Sequence, residues 1–231
     1  GHDGNRGEAV LWASQIGAAT EHLGAYQGHG NVAHPHGILI TWATITEGGV
    51  QVNAAGERFW NEAQGYSEAA RAVLSQAQGE AYAIFDGRIS EIAEQFEDFK
   101  RAKSEGAIKS AETLEELAED LGLPADTLCK TIADISPNST DRFGRTFGET
   151  VLSPPFCGVR VTGALFHTQG GLKVDTSARV ICKNGSIISN LYAGGGAACG
   201  VSGRGDSGYL SGNGLLSAVV LGRIAGKASS N

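Results

Sequence analysis

The hydrophobic pattern is clearest near the C terminus, where apolar residues recur at helical spacing from Gly212 onward. These positions are Leu215, Leu216, Val219, Val220 and Ile224, and their spacing predicts an amphipathic helix. Upstream, two short apolar runs flank residues 183–185, whose sequence Lys-Asn-Gly is typical of a hairpin turn. A glycine-rich loop follows the hairpin. Because a glycine loop that leads into a helix presents free backbone N–H groups, this region predicts a cradle for a cofactor or an anion.

The remaining chain predicts shorter helices and strands. Helical patterns extend from Glu8 to about Gly24, over 67–78, over 89–103, and over two segments between 113 and 135. A capping box from Thr113 to Glu116 marks the start of one of these helices. Strands are predicted over 38–45, 48–53, 82–86 and 191–193. Residues 26–37 hold three histidines, several glycines and a proline, and this composition predicts a loop.

Composition limits the classes of protein that need to be considered. The chain has 231 residues, of which 41% are hydrophobic and 19% charged, as expected for a soluble globular protein with one or two cores. Its formal charge of −7 argues against nucleic acid as a partner. No apolar run approaches the roughly 18 residues of a membrane span, so we expect no membrane partner and a cytoplasmic location. Four scattered cysteines lack zinc-site spacing, which favours free thiols and no metal site.

Seven short motifs follow one another along the chain. They are His34-Pro35, Gly49 to Glu62, Thr113 to Ala118, Pro155-Phe156, His167 to Asp175, Leu191 to Gly195, and Gly222 to Gly226. In this order they resemble the fumarate reductase and succinate dehydrogenase flavoprotein family, which also holds ketosteroid dehydrogenases and tricarballylate dehydrogenase. The resemblance implies FAD as cofactor and transfer of a hydride between flavin N5 and a substrate carbon next to a carbonyl or carboxylate.

The fold class implied by the resemblance is α+β, with a capping domain inserted into a Rossmann-like FAD-binding domain. Residues 1–25 would form a helix segment of the FAD-binding domain, 26–157 the capping or substrate domain, and 158–231 the C-terminal part of the FAD-binding domain. The literal Gly-x-Gly-x-x-Gly at 203–208 follows a loop and opens no helix directly, so it is not a dinucleotide fingerprint. The chain begins with Gly1 and has no methionine. We therefore expect a fragment whose N-terminal dinucleotide-binding unit is absent and whose partner is that missing FAD-binding segment.

The glycine-rich region supplies the predicted cofactor-binding residues. Glycines allow backbone to approach the flavin ring closely, and the helix that begins near Gly212 would direct its positive dipole end at the pyrimidine oxygen. The family's glutamate after Ala-Gly falls on Gly196, which removes one contact to FAD. The predicted cofactor-binding residues are Gly170, Gly171, Gly195, Gly212, Asn213, Gly214 and Leu215.

The predicted substrate site departs from that of the fumarate-reducing members. Their proton-delivering arginine falls on Tyr66, and their carboxylate-binding arginine falls on Tyr209, as in the tricarballylate and ketosteroid dehydrogenase branches. Their histidine before x-Thr-x-Gly-Gly falls on Phe166. These departures indicate that fumarate is not the substrate. The predicted catalytic residues are Tyr66, Tyr209 and His34, and the predicted substrate-binding residues are His34, Phe166, His167, Arg204 and Tyr209.

Two functions fit these observations. The first is an FAD-dependent oxidoreductase, a dehydrogenase or reductase of a small organic acid or ketone-bearing molecule, present here as a fragment. The second is a non-catalytic truncated relative, or an excised cap, that acts as an interaction module. Under the second function, Tyr66 and Tyr209 would be ordinary core or rim residues. In both, Arg58 and Glu62 are predicted to form a structural ion pair.

Overall fold

A computed structural model describes residues 4–205 and 209–230. Within these residues helices and strands are mixed along the chain. Their order is α1 (Glu8–Gln15), β1 (Thr20–Glu21), β2 (Tyr26–Ala33), β3 (Ile38–Leu39), α2 (Ala43–Thr46), β4 (Val50–Val52), α3 (Tyr66–Leu74), β5 (Glu80–Asp86), α4 (Gly87–Ala93), α5 (Glu97–Ser104), β6 (Ile108–Ala111), α6 (Leu114–Leu121), α7 (Ala125–Ala133), β7 (Phe156–Thr168), β8 (Gly171–Leu172), β9 (Arg179–Ile181), β10 (Ile187–Tyr192) and α8 (Asn213–Ala228), with short 3-10 turns at Glu62–Gln64, Ala77–Gly79 and Gly195–Ala197.

The chain divides into two compact units. The central unit comprises residues 28–164, and the terminal unit comprises residues 1–27 together with 165–231. The two changes from one unit to the other fall inside β2 and β7. The predicted boundary at 157–158 therefore lies within a continuous strand.

The central unit is built on a six-stranded sheet in the order β3-β2-β7-β5-β4, with β6 also paired to β7. β5 and β7 are antiparallel from Glu80 opposite Thr162 to Asp86 opposite Phe156. Alternate residues of β5 face opposite sides: Phe85 packs in a cluster with Phe99 of α5, whereas Ile84 packs with residues of α6 and α7. Both faces of this sheet are therefore covered.

The terminal unit is smaller and contains two short antiparallel pairs. Thr20 of β1 lies opposite Leu172 of β8, and β9 and β10 form a hairpin whose turn has Gly185 at φ +86°. The long helix α8 follows the glycine-rich loop. The buried core of this unit consists mainly of small side chains, namely Ala13, Ala18, Leu172, Val180, Ala193 and Ala198.

Several predicted elements are confirmed because short-range sequence determines them. The hairpin turn and the C-terminal helix are present. Thr113 and Glu116 form the predicted capping box, in which each side chain accepts a hydrogen bond from the other residue's backbone N–H. Among the described residues, no helix is both long and apolar enough to cross a membrane.

The predicted loop over 26–37 is wrong for its first eight residues, which form the mostly buried strand β2. The buried polar groups of β2 have hydrogen-bond partners inside the unit, which makes their burial tolerable. Asn31 Nδ2 donates to the Ile40 carbonyl at 3.3 Å and to Thr44 Oγ1 at 3.1 Å. Gln51 Nε2 donates to the Gly30 carbonyl at 2.8 Å.

Other element boundaries also differ from the prediction. The first helix ends at Gln15 rather than near Gly24, because Gly17 adopts φ +93° just beyond it. The single helix predicted over 89–103 is two helices, separated where Phe96 takes an extended conformation. The strand predicted over 38–45 is the two-residue β3 followed by α2, and residues 191–192 belong to β10 rather than to a separate strand.

Candidate functional site

The N-terminus of α8 offers unused backbone donors in the terminal unit. Gly212 precedes the helix in the left-handed conformation with φ +79°, and no side chain among the described residues caps this end. The Asn213 N–H donates to the Leu210 carbonyl at 3.1 Å, and the other N–H groups of the first helical turn have no acceptor within a helix. Asn213, the first helical residue, is buried, whereas Leu215 is exposed. This helix end can therefore donate hydrogen bonds to an electron-rich group.

A chain of hydrogen bonds links this helix end to β7. The Val201 N–H donates to Asn213 Oδ1 at 3.1 Å, and Asn213 Nδ2 lies against Gln169 Oε1. Gln169 Nε2 lies 3.0 Å from His167 Nε2, and His167 Nδ1 lies 2.6 Å from the Thr168 carbonyl. The structure thus joins His167 and Asn213, both predicted site residues, through Gln169, whose role the sequence analysis missed.

The other predicted substrate residues of the terminal unit differ in their contact with these hydrogen-bonded side chains. The Tyr209 ring meets His167 edge-on, with ring centroids 6.3 Å apart. Phe166 is half-buried in β7, and Arg204 is exposed. A hydrogen bond from Lys173 is the main reason that the pKa of the Glu21 carboxyl is lowered, and the Arg204 charge adds to this effect. Tyr209 and His167 are therefore brought together, whereas Arg204 lies on the open surface.

The predicted flavin-contacting glycines fall into two groups. A Cβ added to Gly170 would lie 2.3 Å from the His22 carbonyl oxygen, and one added to Gly171 would lie 2.5 Å from the Ala198 carbonyl carbon. Both glycines are thus required by close packing of the protein's own backbone. Gly195 has φ +57°, in the left-handed region that favours glycine for a different reason. The roles of all three at a flavin stay predictions.

Tyr66 lies at the start of α3 in an aromatic cluster of the central unit. The buried His29 ring stacks on it, with centroids 5.0 Å apart and planes 18° apart, and Trp42 meets it edge-on at 6.3 Å. Burial lowers the pKa of His29 to about 4, because the charged imidazolium is poorly solvated there. His29 was missed by the sequence analysis, which predicted a loop at this position.

His34 has different neighbours. Its Nε2 lies 3.2 Å from Glu80 Oε1, and Glu80 Oε2 accepts a hydrogen bond from Arg160 Nε at 2.6 Å. The His34 backbone N–H donates to the Arg160 carbonyl at 2.9 Å. His34 is therefore held by an ion-paired carboxylate on the neighbouring strands, and Tyr66 is held by aromatic rings.

Arg58 and Glu62 form the predicted ion pair, within a larger buried cluster. Glu62 Oε1 accepts from Arg58 Nε and from the Gln51 N–H, each at 3.0 Å, and its Oε2 lies 3.1 Å from Arg145 Nη1. Asp141 completes the cluster against Arg58 Nη1. Burial is the largest single influence on Asp141 and opposes its ionisation, but the hydrogen bond and charge of Arg58 together with hydrogen bonds from the Arg145 and Phe143 N–H groups outweigh it. These contributions keep the pKa of this carboxyl below its ordinary value. A cavity of about 510 Å³ adjoins Arg58 and contains none of the predicted site residues.

Comparison with known proteins adds to this geometry. The family described as FAD binding domain matches residues 1–215. The NADH:acrylate oxidoreductase of Vibrio harveyi is 37% identical over 207 residues, covering 84% of this chain and 20% of that protein. A probable fumarate reductase of Shewanella frigidimarina is 31% identical over 225 residues, covering 95% of this chain and 37% of that protein. The open conformation of a flavocytochrome c3 fumarate reductase matches with a TM-score of 0.73 and 29% identity, covering 97% of this chain and 40% of that one.

The chain therefore belongs to the FAD-binding fumarate reductase and succinate dehydrogenase flavoprotein family, a family of oxidoreductases whose cofactor is FAD. Both the family resemblance and the FAD prediction are confirmed. Its mixed helix and sheet architecture matches the fold of a flavoprotein fumarate reductase. The chain spans about a fifth to two fifths of the length of the first curated relatives that it matches.

Proposed function

We propose that this family member is the part of an FAD-dependent oxidoreductase that holds the flavin ring and the substrate. In this proposal the central unit is the inserted capping domain, and the terminal unit is the C-terminal part of the FAD-binding domain with its helix segment. The enzyme is a dehydrogenase or reductase of a small organic acid or ketone-bearing molecule. One observation carries the proposal: the uncapped α8 terminus, linked to His167 through Asn213 and Gln169, lies within a segment that matches an FAD-binding family.

The residues around α8 fit a flavin. Apart from chain neighbours, no described atom lies within 4 Å of a Cβ added to Gly196 or Gly212, so backbone at both positions is open to a flat ring. The N–H groups of Gly214 and Leu215 would donate to the electron-rich edge of that ring, and the helix dipole would favour negative charge there. When bound, FAD supplies a site that accepts or gives a hydride.

An exposed apolar row on α8 supports a further FAD-binding segment as partner. Leu215 is 79% exposed and Val219 is 70% exposed, and Leu216 lies between them on the same helix. A contiguous apolar face of this kind is unusual on a free surface and is typical of a contact with another part of the protein. We propose that this face packs on the FAD-binding segment in the whole protein.

Tyr66 is the proposed proton carrier, and Tyr209 and His34 are proposed to bind the substrate. His29 is neutral near pH 7 because burial lowers its pKa to about 4, so the ring stacked on Tyr66 supplies no positive charge that would favour a phenolate. Tyr66 would therefore act as an acid, donating its proton toward the substrate. Tyr209 would bind the substrate carbonyl or carboxylate through its hydroxyl, and His34 would also bind the substrate.

We propose an unsaturated monocarboxylate, such as acrylate, rather than a dicarboxylate as the substrate. A relative that is 37% identical is an acrylate oxidoreductase. Arginine is the permanently charged partner that best suits a carboxylate, and Arg204 is the one arginine among the predicted substrate residues. His34 is already held by Glu80. The predicted substrate residues therefore suit a substrate with one carboxylate better than a substrate with two.

Flavin reoxidation tests the proposal. The full-length protein would be purified with added FAD, reduced without oxygen, and mixed with acrylate or with fumarate while the flavin absorbance is followed. We expect faster reoxidation by acrylate. Faster reoxidation by fumarate would contradict the substrate assignment alone, whereas a protein that retains no flavin would overturn the oxidoreductase proposal and favour an interaction module.

A further inference from the structure

We propose that Gln169 is a positioning residue that holds His167 in its neutral Nδ1–H form and thereby orients Tyr209. The claim about His167 rests on hydrogen-bond geometry within the terminal unit. The claim about turnover rests on the proposed function. The two claims are tested by separate measurements.

Backbone groups fix the direction of the hydrogen-bond chain at both ends. At one end the Val201 N–H can only donate, so the Asn213 atom 3.1 Å away must be its carbonyl oxygen, Oδ1. At the other end the Thr168 carbonyl can only accept, so His167 Nδ1, at 2.6 Å, must carry a proton.

The side chains between these ends then have one consistent arrangement. Since Asn213 Oδ1 faces Val201, its Nδ2 donates to Gln169 Oε1. Gln169 Nε2 is therefore the donor to the His167 ring, and it lies 3.0 Å from Nε2 and 3.4 Å from Nδ1. Because Nδ1 carries its proton toward Thr168, only Nε2 has a lone pair to accept this hydrogen bond. His167 Nε2 must accept this bond, which leaves the imidazole neutral with its proton on Nδ1.

The surroundings leave little space for another arrangement. The side chains of Gln169 and Asn213 belong to residues only 3% and 2% exposed. A Cβ at Gly214 would lie 2.5 Å from His167 Nε2, and a Cβ at Gly200 would lie 2.8 Å from Asn213 Nδ2. Glycine at both positions therefore leaves space for the hydrogen-bonded side chains. A buried amide that lost its partner here would keep the cost of its desolvation.

This arrangement limits what His167 can do at the proposed site. A proton on Nε2 would point at the Gln169 amide hydrogens, so His167 is not available as a proton donor through that atom. Its contribution is its ring, which meets Tyr209 edge-on. Gln169 thus acts through His167 on the position of Tyr209.

The test compares Gln169→Glu, Gln169→Leu and the charge control Gln95→Glu, which alters an exposed glutamine of the central unit. Nitrogen chemical shifts of the His167 imidazole report its tautomer and its titration in the full chain. We expect the Nδ1–H tautomer in the unsubstituted protein. In Gln169→Glu, a carboxylate facing Nε2 should favour the imidazolium, so that the shifts of both ring nitrogens move toward those of a doubly protonated ring.

Kinetics give the second readout. For Gln169→Leu we expect KM for the substrate to rise about tenfold, the ratio for loss of roughly one hydrogen bond, with a smaller change in kcat. Gln95→Glu should match the unsubstituted protein in both readouts. An Nε2–H tautomer in the unsubstituted protein, or unchanged His167 nitrogen shifts in Gln169→Glu, would overturn the tautomer assignment. An unchanged KM in Gln169→Leu would overturn the positioning role.

These failures are distinguishable from failure of the proposed function. The tautomer measurement needs no turnover. If the unsubstituted protein neither binds flavin nor turns over substrate, the proposed function fails, while the nitrogen shifts still support or contradict the His167 assignment.

Discussion

Removing the charge of Glu62 should strongly destabilise the central unit. Glu62 is fully buried, and its carboxylate faces two arginines, Arg58 and Arg145. With Asp141 the cluster holds two positive and two negative groups. Glu62→Gln keeps the size of the side chain but leaves one buried positive charge uncompensated.

The magnitude follows from the cost of an unpaired buried charge. Breaking a buried ion pair by removing one partner costs about 3–5 kcal/mol. The Gln51 N–H can keep its bond to the amide oxygen that replaces Oε1, so this backbone hydrogen bond adds little to the loss. For a protein of this size the loss corresponds to a melting temperature lower by roughly 6–20 °C.

Thermal unfolding followed by circular dichroism measures this effect. The matched control is Glu97→Gln, which removes the charge of an 87% exposed side chain paired with Lys100 and should cost less than about 1 kcal/mol. If Glu62→Gln lowers the melting temperature no more than Glu97→Gln, the cluster does not stabilise the fold as argued here.

Three further predictions address titration, packing and chemistry. The pKa of His29 is about 4 in the folded protein and 6.5 in the free group, so its contribution to the free energy of unfolding should be fully present above pH 6.5. The free energy of unfolding should fall by roughly 3 kcal/mol as the pH drops toward 4. His29→Gln should flatten this pH dependence in urea titrations at several pH values. Gly170→Ala should destabilise the terminal unit in the same assay, because its Cβ would lie 2.3 Å from the His22 carbonyl oxygen, whereas Gly196→Ala meets no such contact and should be near neutral. Tyr66→Phe keeps the stacking on His29 but removes the hydroxyl, so we expect flavin binding unchanged and turnover lower by about 10²-fold or more; unaltered turnover would show that Tyr66 carries no proton.

Short-range chemistry explains which parts of the fold the sequence predicts well. The capping box at Thr113 and Glu116 and the turn at Gly185 each depend on a few neighbouring residues. β2 could not be predicted in this way. Its buried polar side chains are stabilised by partners 9 and 13 residues away for Asn31, so a stretch with loop-like composition becomes a central strand.

The same contrast between short-range and long-range contacts applies to the candidate site. The motif that contains His167 and the glycines before α8 predicts that these segments act together, and the structure brings His167 against Asn213 through Gln169. The role of Gln169 depends on a partner 44 residues away. Local sequence patterns do not reveal a contact between residues so far apart. Once the fold is known, the burial of the Gln169 amide between His167 and Asn213 reveals it.

Binding of FAD by this protein is the most direct test of the central claim. We would titrate FAD into the full-length protein and into a variant in which Gly214→Ala places a methyl group 2.5 Å from His167 Nε2, following flavin fluorescence. The account predicts saturable binding by the unsubstituted protein and weaker binding by the variant. Absence of saturable FAD binding by the folded unsubstituted protein would contradict it.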